Sequence, residues 1–332
     1  MKIGIIGAGS WGTALSNLLA GSGLRVSIWD VDKELLKSIS LTHENNKYLP
    51  GRRIHESIEI AETSYDCVKD ADFVVTAAPS QHFRSALSSA LPGMKDDAII
   101  VNVAKGIEIG SLKTLSAISS EVAPKHKYAV LSGPSHAEEV ADGMPTTVTA
   151  ASADPETAEA VQDVFMTDRF RIYTQSDIIG VELGGALKNI IALGAGIVVG
   201  MGYGDNTNAA LMTRGITEMA RLGQHMGANP ETFYGLSGIG DLIVTCTSIH
   251  SRNRKCGIMI GQGVEPDVAI ARVGMIVEGI PTAEAAKELA NKLGVEMPIT
   301  EAISRVVSGE VPPGVAMAAL MTRDKKHEHW KR

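Results

Sequence analysis

Aromatic side chains are scarce in this chain: 3 Trp, 6 Tyr and 5 Phe make up 4% of its 332 residues. So thin a supply argues against a stacking platform for single-stranded nucleic acid. Positive charge is in deficit too, since Lys and Arg total 31 against 38 Asp and Glu, a net charge of −7. Such a surface is a poor partner for the phosphate backbone of DNA or RNA, and any bound anion must be met by a few local cations. The only cysteines are Cys67, Cys246 and Cys256, without a CxxC pair, which predicts reduced thiols and neither a disulfide frame nor a zinc site. The 9 histidines show no HxxxH or HExxH spacing, so no metal site is expected. His327 and His329 read as solvated residues of a charged, frayed tail that begins at Lys325. The longest apolar stretch, 190–203, is short for a membrane span and reads as a buried helix. The chain opens directly on Lys2-Ile3-Gly4-Ile5-Ile6; no signal peptide and a cytoplasmic location are expected.

Glycine, by contrast, is abundant: 34 residues against a usual share near ~7%. Without a collagen-like period, the excess should mark places where backbone approaches something closely. The distribution is uneven, with 4 of the 34 in the first dozen residues and 16 between residues 181 and 263.

Runs dense in Val and Ile at 2–6, 25–29, 72–77, 98–103 and 128–131 are nearly continuous rather than alternating, as parallel strands covered on both faces require. Helical segments at 11–20, 32–39, 83–91 and 112–122 separate them, and a strand at 146–151 and a helix at 155–165 extend the series. This order predicts a doubly wound α/β sheet of the Rossmann type. From residue 178 the chain reads as helix after helix, at 181–200, 206–226, 230–236, 256–261, 282–293 and 300–307. Two domains are therefore expected, a dinucleotide-binding domain over 1–177 and an all-α substrate-binding domain over 178–332.

Gly7-Ala8-Gly9-Ser10-Trp11-Gly12 fits G-x-G-x-x-G, with a strand before it and a helix after it. Gly7 suits a tight turn, Gly9 the close approach of a pyrophosphate, and Gly12 the packing of helix on strand. No Gly-Lys-Ser/Thr follows, so this is not a P-loop. Asp30 ends the second strand 18 residues after Gly12, where a carboxylate meets the ribose hydroxyls of NAD and repels the extra phosphate of NADP. The plainer alternative is that Asp30 only caps the helix after it.

Lys188 stands in an apolar helical run with Gly184, Gly185 and Ala192 as its helical neighbours and no acid within reach along the helix. A partly buried lysine without an acid partner has its pKa lowered and becomes usable for proton transfer, and the small residues leave room for a ligand. Asn189 beside it strengthens that reading; a lysine that snorkels to the surface is the alternative. Lys105 follows a strand at the sheet's carboxyl edge, where ligands bind in open α/β sheets. Ser135 and Glu138 form a capping box whose helix start faces the same edge. Arg252 and Asn253 offer a clamp for a phosphate or a cofactor amide, or else a basic helix end.

The ordered set Gly7-Ala8-Gly9-Ser10-Trp11-Gly12-Thr13-Ala14, Ala104-Lys105-Gly106-Ile107-Glu108, Leu131-Ser132-Gly133-Pro134-Ser135-His136-Ala137, Ala186-Leu187-Lys188-Asn189, Gly240-Asp241-Leu242, Ser251-Arg252-Asn253-Arg254 and Val277-Glu278-Gly279 resembles the bacterial type of NAD(P)-dependent glycerol-3-phosphate dehydrogenase. The resemblance covers nearly the whole chain. It implies reversible reduction of dihydroxyacetone phosphate to sn-glycerol 3-phosphate with NAD(H) or NADP(H), supplying phospholipid synthesis, in a homodimer without nucleic acid or membrane span. By the same resemblance Lys188 is the proton acceptor or donor, Lys105 contacts substrate and cofactor, and Gly133 and Ser135 border the substrate. Asp241, Ser251, Arg252 and Asn253 close the site, Arg252 touching the cofactor as well, while Ser10, Trp11, Ala137 and Glu278 line the cofactor. Asp30-Val31-Asp32 departs from the basic or neutral residue that many members carry there, which favours NAD. A β-hydroxyacid dehydrogenase and a non-catalytic NADH-sensing protein are the alternatives.

Overall fold

The computed structural model describes residues 1–325 with His327 and Glu328; Lys326 and residues 329–332, His329 among them, lie outside the described residues. The first half alternates strand and helix: β1 (Lys2–Ile6), α1 (Ser10–Gly21), β2 (Arg25–Trp29), α2 (Lys33–Thr42), β3 (Glu59–Ile60), α3 (Ser64–Val68), β4 (Phe73–Thr76), α4 (Phe83–Ala90), β5 (Ile99–Asn102), α5 (Leu115–Val122), β6 (Tyr128–Ser132), α6 (Ala137–Ala141), β7 (Thr146–Ala151), α7 (Pro155–Phe165) and β8 (Phe170–Gln175). The strands form one sheet in the order β3-β2-β1-β4-β5-β6-β7-β8. Neighbours are parallel except β6 and β7, so the expected parallel sheet carries one antiparallel step. Its direction of winding reverses at β1, which lies between β2 and β4, and a crevice opens beyond the carboxyl ends of strands at such a point.

Strands β1, β4 and β5 are buried on both faces, with Ile3, Ile5, Val74, Val75, Ile100 and Val101 fully covered by helices, which explains their unbroken apolar runs. β8 was not anticipated. It is an edge strand whose Arg171 and Tyr173 face outward between buried Phe170 and Ile172, so it alternates where a continuous run was sought.

Only Ser176 and Asp177 separate β8 from α8 (Ile178–Gly200). There follow α9 (Asp205–His225), α10 (Asp241–Thr247), α11 (Arg252–Gly261), α12 (Pro266–Val273), α13 (Gly279–Leu293), α14 (Pro298–Val307) and α15 (Pro313–Met321). The Asp177 carboxylate accepts from the Gly180 N–H at 2.9 Å and caps α8. With a mean hydropathy of 1.6, α8 is long and apolar enough to cross a membrane, yet it is the core helix of this half, enclosed by α9, α10, α11, α13 and α14. Segment 230–236 proves to be a single 3-10 turn, Pro230–Tyr234, and α10, α12 and α15 are additions to the expected set. α12 and α15 open on proline, which suits a first helical turn and conceals it in a pattern search.

The glycine excess resolves into contacts. Gly196 and Gly200 of α8 meet Gly257 and Gly261 of α11 backbone to backbone; a Cβ at any of the four would strike a carbonyl of the facing helix. The two helices therefore run together over two turns with no side chain between them.

Candidate active site

The cofactor turn is built from β1 outward. Gly7 sits at φ +113°, which only glycine adopts comfortably, and a Cβ there would press on the backbone of Ala77 and Ala78 at the end of β4. A Cβ at Gly12 would run into the Gly7 carbonyl. Gly9 faces open space, and α1 has neither a side-chain cap nor an acidic residue in its first turn. Its leading N–H groups are thus left to an anion, so this turn fits a pyrophosphate. Ser10 and Trp11 begin α1; Trp11 packs beside Ala137, Ala14 and Leu49. The Asp30 carboxylate accepts from the Ala8 N–H at 2.7 Å and the Asp32 N–H at 3.0 Å. It holds the glycine turn; the cap of α2 is Asp32, which accepts from Leu35.

Lys188 does have an acid partner, contrary to its reading from helical neighbours alone. Asp241, at the start of α10, receives Lys188 Nζ at 2.7 Å on one oxygen and Lys105 Nζ at 2.6 Å on the other. Lys188 also donates to Thr245 Oγ1 at 2.7 Å, and Lys105 to the Gly133 carbonyl at 3.0 Å. Thr245 went unnoticed as a site residue; its signal is the i, i+4 spacing from Asp241, which puts both on one face of α10. Burial drives the Lys188 ammonium down to about 8, the Lys105 charge pushes the same way, and Asp241 opposes both. Burial works to raise Asp241, but the two lysines outweigh it and hold the carboxyl below its usual range.

The glycines near Lys188 are filled by the chain rather than held open for a ligand. Gly184 admits the Ser237 backbone, and Gly185 admits the Ser132 hydroxyl and the stem of Lys105. Ser237 lies in a π-helical turn, Leu236–Gly240, closed by a bond from Gly240 N–H to the Gly235 carbonyl and delivering Asp241 to the lysines.

Asn189 and Asn253 form a relay. Asn253 donates to Asn189 Oδ1 at 3.0 Å and accepts from the Gly279 N–H at 2.8 Å, tying α8, α11 and α13 together. Its amide is thus engaged with the protein, and the structure does not aim it as a phosphate clamp. Ser251 accepts from the Arg254 N–H at 3.2 Å and caps α11, which begins four residues earlier than expected. Arg252, next to it, makes no hydrogen bond or ion pair among the described residues. Glu278 accepts from the Ser80 N–H and hydroxyl at 2.9 and 2.6 Å, and burial raises its carboxyl. The Ser135–Glu138 capping box does not form: α6 starts at Ala137, and the Ser135 hydroxyl turns back to the Gly133 carbonyl at 3.0 Å. Gly133 itself sits at φ +151° with Val148 against it, leaving no space for a Cβ.

Two family models match the chain, NAD-dependent glycerol-3-phosphate dehydrogenase N-terminus over residues 2–158 and C-terminus over residues 177–318. A glycerol-3-phosphate dehydrogenase [NAD(P)+] of Pelotomaculum thermopropionicum is 52% identical over 98% of this chain and 95% of its own length. One of Bacillus velezensis is 50% identical over 98% and 96%. Among solved structures, the glycerol-3-phosphate dehydrogenase of Coxiella burnetii superposes with a TM-score of 0.94 at 35% identity, covering 97% of this chain and 99% of that one.

Proposed function

The chain belongs to the NAD-dependent glycerol-3-phosphate dehydrogenase family, and from that premise we propose how its side chains divide the work. It is an oxidoreductase that interconverts dihydroxyacetone phosphate and sn-glycerol 3-phosphate with NAD(P)H; neither a β-hydroxyacid dehydrogenase nor an NADH sensor is favoured by these relatives. Gly7, Gly9, Gly12 and the start of α1 would hold the cofactor pyrophosphate, with Ser10, Trp11, Ala137 and Glu278 alongside. When bound, the nicotinamide supplies or takes up the hydride. Lys188 gives its proton to the oxygen on C2 during reduction and recovers it during oxidation, while Thr245 and Asp241 fix the direction of its ammonium. Lys105 meets substrate and cofactor beside Gly133 and Ser135. Arg252 takes the substrate phosphate and reaches the cofactor; Ser251 and Asn253 hold it at that edge. Residues 1–177 act as the cofactor domain and 178–332 as the substrate domain of a cytoplasmic homodimer that feeds phospholipid synthesis.

The observation that carries this assignment is the Lys188–Asp241–Lys105 triad, a buried proton donor held at a pKa of about 8 where the sheet edge meets the helical half. Following reduced-nicotinamide absorbance with dihydroxyacetone phosphate, a β-keto acid and no substrate tests it. Turnover is expected with the phosphorylated triose alone, and faster with NADH than NADPH because the Asp30 carboxylate at the end of β2 would repel the extra phosphate of NADP. Rapid turnover of the β-keto acid would reverse the assignment. Arg252→Ala is expected to raise the Michaelis constant for dihydroxyacetone phosphate by roughly 30- to 100-fold, the loss of one charge-assisted contact. An unchanged constant counts against the phosphate role.

A further inference from the structure

One short stretch after β4 grips two separate parts of the molecule. Ser80 binds Glu278 of the helical half. The Gln81 side-chain amide donates to the Ile107 carbonyl at 2.8 Å and accepts from the Ile109 N–H at 3.0 Å. Arg84 lays its guanidinium across both Glu108 oxygens at 2.9 and 2.8 Å. The segment gripped in this way, 104–110, is neither helix nor strand, so side-chain contacts decide where it lies. It also rests on Ser80 itself, since a Cβ on Gly106 would collide with the Ser80 side chain. Lys105 stands at its start and reaches from there to Gly133 and Asp241.

We propose that Gln81 is a positioning residue for Lys105, its amide fixing the backbone from which that lysine meets Asp241 and the substrate. The proposal rests on the reading of Lys105 as a substrate contact. A primary amide is suited to the task because it presents one donor and one acceptor in a plane, matching a backbone carbonyl and a backbone N–H two residues apart. The bidentate Arg84–Glu108 pair braces the same segment from the side of α4, through a side chain and not through the backbone that Gln81 holds.

The effect extends to the proton donor. The charged and titratable groups around Lys188 are Asp241, Lys105, Cys246 and His136. Of these, only Lys105 stands on the segment that Gln81 holds. When that segment loosens, Lys105 withdraws, Asp241 is left to Lys188 alone, and the Lys188 ammonium becomes harder to deprotonate.

The test is made on the full-length protein with Gln81→Met, which removes both bonds, and Gln81→Glu, which keeps the acceptor for Ile109. Both variants are expected to raise the Michaelis constant for dihydroxyacetone phosphate by roughly ten- to hundredfold, Met by losing both bonds and Glu by turning an acceptor oxygen onto the Ile107 carbonyl. Both should move the alkaline midpoint of glycerol-3-phosphate oxidation upward, by about half a unit or more for Met. A residue that only stabilises the fold would lower Tm and leave the midpoint unmoved; that result in either variant overturns the proposal, so a Gln81→Met protein that fails to fold leaves Gln81→Glu to decide. Inactive wild-type protein would remove the proposed function and this inference together, whereas active wild-type with unmoved variants removes this inference alone.

Discussion

Lys188→Ala is expected to lower turnover by roughly 10³- to 10⁴-fold, the usual worth of a positioned general acid or base. Cofactor binding should survive, because the glycine turn that fits the pyrophosphate belongs to β1 and α1 and not to α8. Titrating NADH by fluorescence alongside the rate measurement separates the two effects. Near-native turnover would remove Lys188 from the mechanism. In the wild-type protein the pH dependence carries a sign. Reduction needs the ammonium and should fall as pH rises through about 8, whereas oxidation needs the neutral amine and should climb through the same region. Both limbs should vanish from the residual activity of the variant.

Asp241→Asn should be nearly as damaging, for a different reason. The carboxylate is 1% exposed and lies between two ammonium groups. Removing its charge leaves the buried Lys188 ammonium uncompensated beside the partly buried Lys105, which costs about 3–5 kcal/mol when one partner of a buried pair is lost. A large fall in Tm is expected, with partial recovery at high pH as Lys188 sheds its proton. In whatever activity remains, the oxidation limb should shift to lower pH, since Asp241 is the group that holds the Lys188 pKa up. An upward shift, or a wild-type melting temperature, would contradict the bridging role.

The glycine turn and the alternation of strand and helix through the first half were legible because they rest on local rules: positive φ at Gly7, a helix start just after it, continuous apolar strands under covering helices. The antiparallel step between β6 and β7 and the edge strand β8 follow from pairing between distant segments and were not. The triad was only half legible. Lys188 was found from its apolar surroundings, but its partner stands 53 residues away on a helix fed by a π turn, a geometry that no periodicity in the sequence announces. The same limit misassigned Gly184 and Gly185, where a gap beside a lysine says nothing about who fills it. Ser135 and Glu138 had the spacing of a capping box, but the helix begins only at Ala137 and the Ser135 hydroxyl donates instead to the Gly133 carbonyl two residues back. Gln81 had no local signal at all, since it acts on a segment 26 residues further along the chain.

The paired glycines of α8 and α11 set a mechanical condition on the site. Side-chain interfaces have soft modes, because rotamers can change and let helices slide; two backbones in direct contact have none. Lys188 lies two turns before Gly196 on one helix, and Arg252 five residues before Gly257 on the other. The stretches of backbone that carry these two residues are therefore held at a fixed distance, while the Arg252 guanidinium, tied by no hydrogen bond or ion pair among the described residues, keeps its own rotamers. Main chain against main chain thus sets where the stems of Lys188 and Arg252 begin, and leaves any adjustment between their tips to side-chain torsions alone.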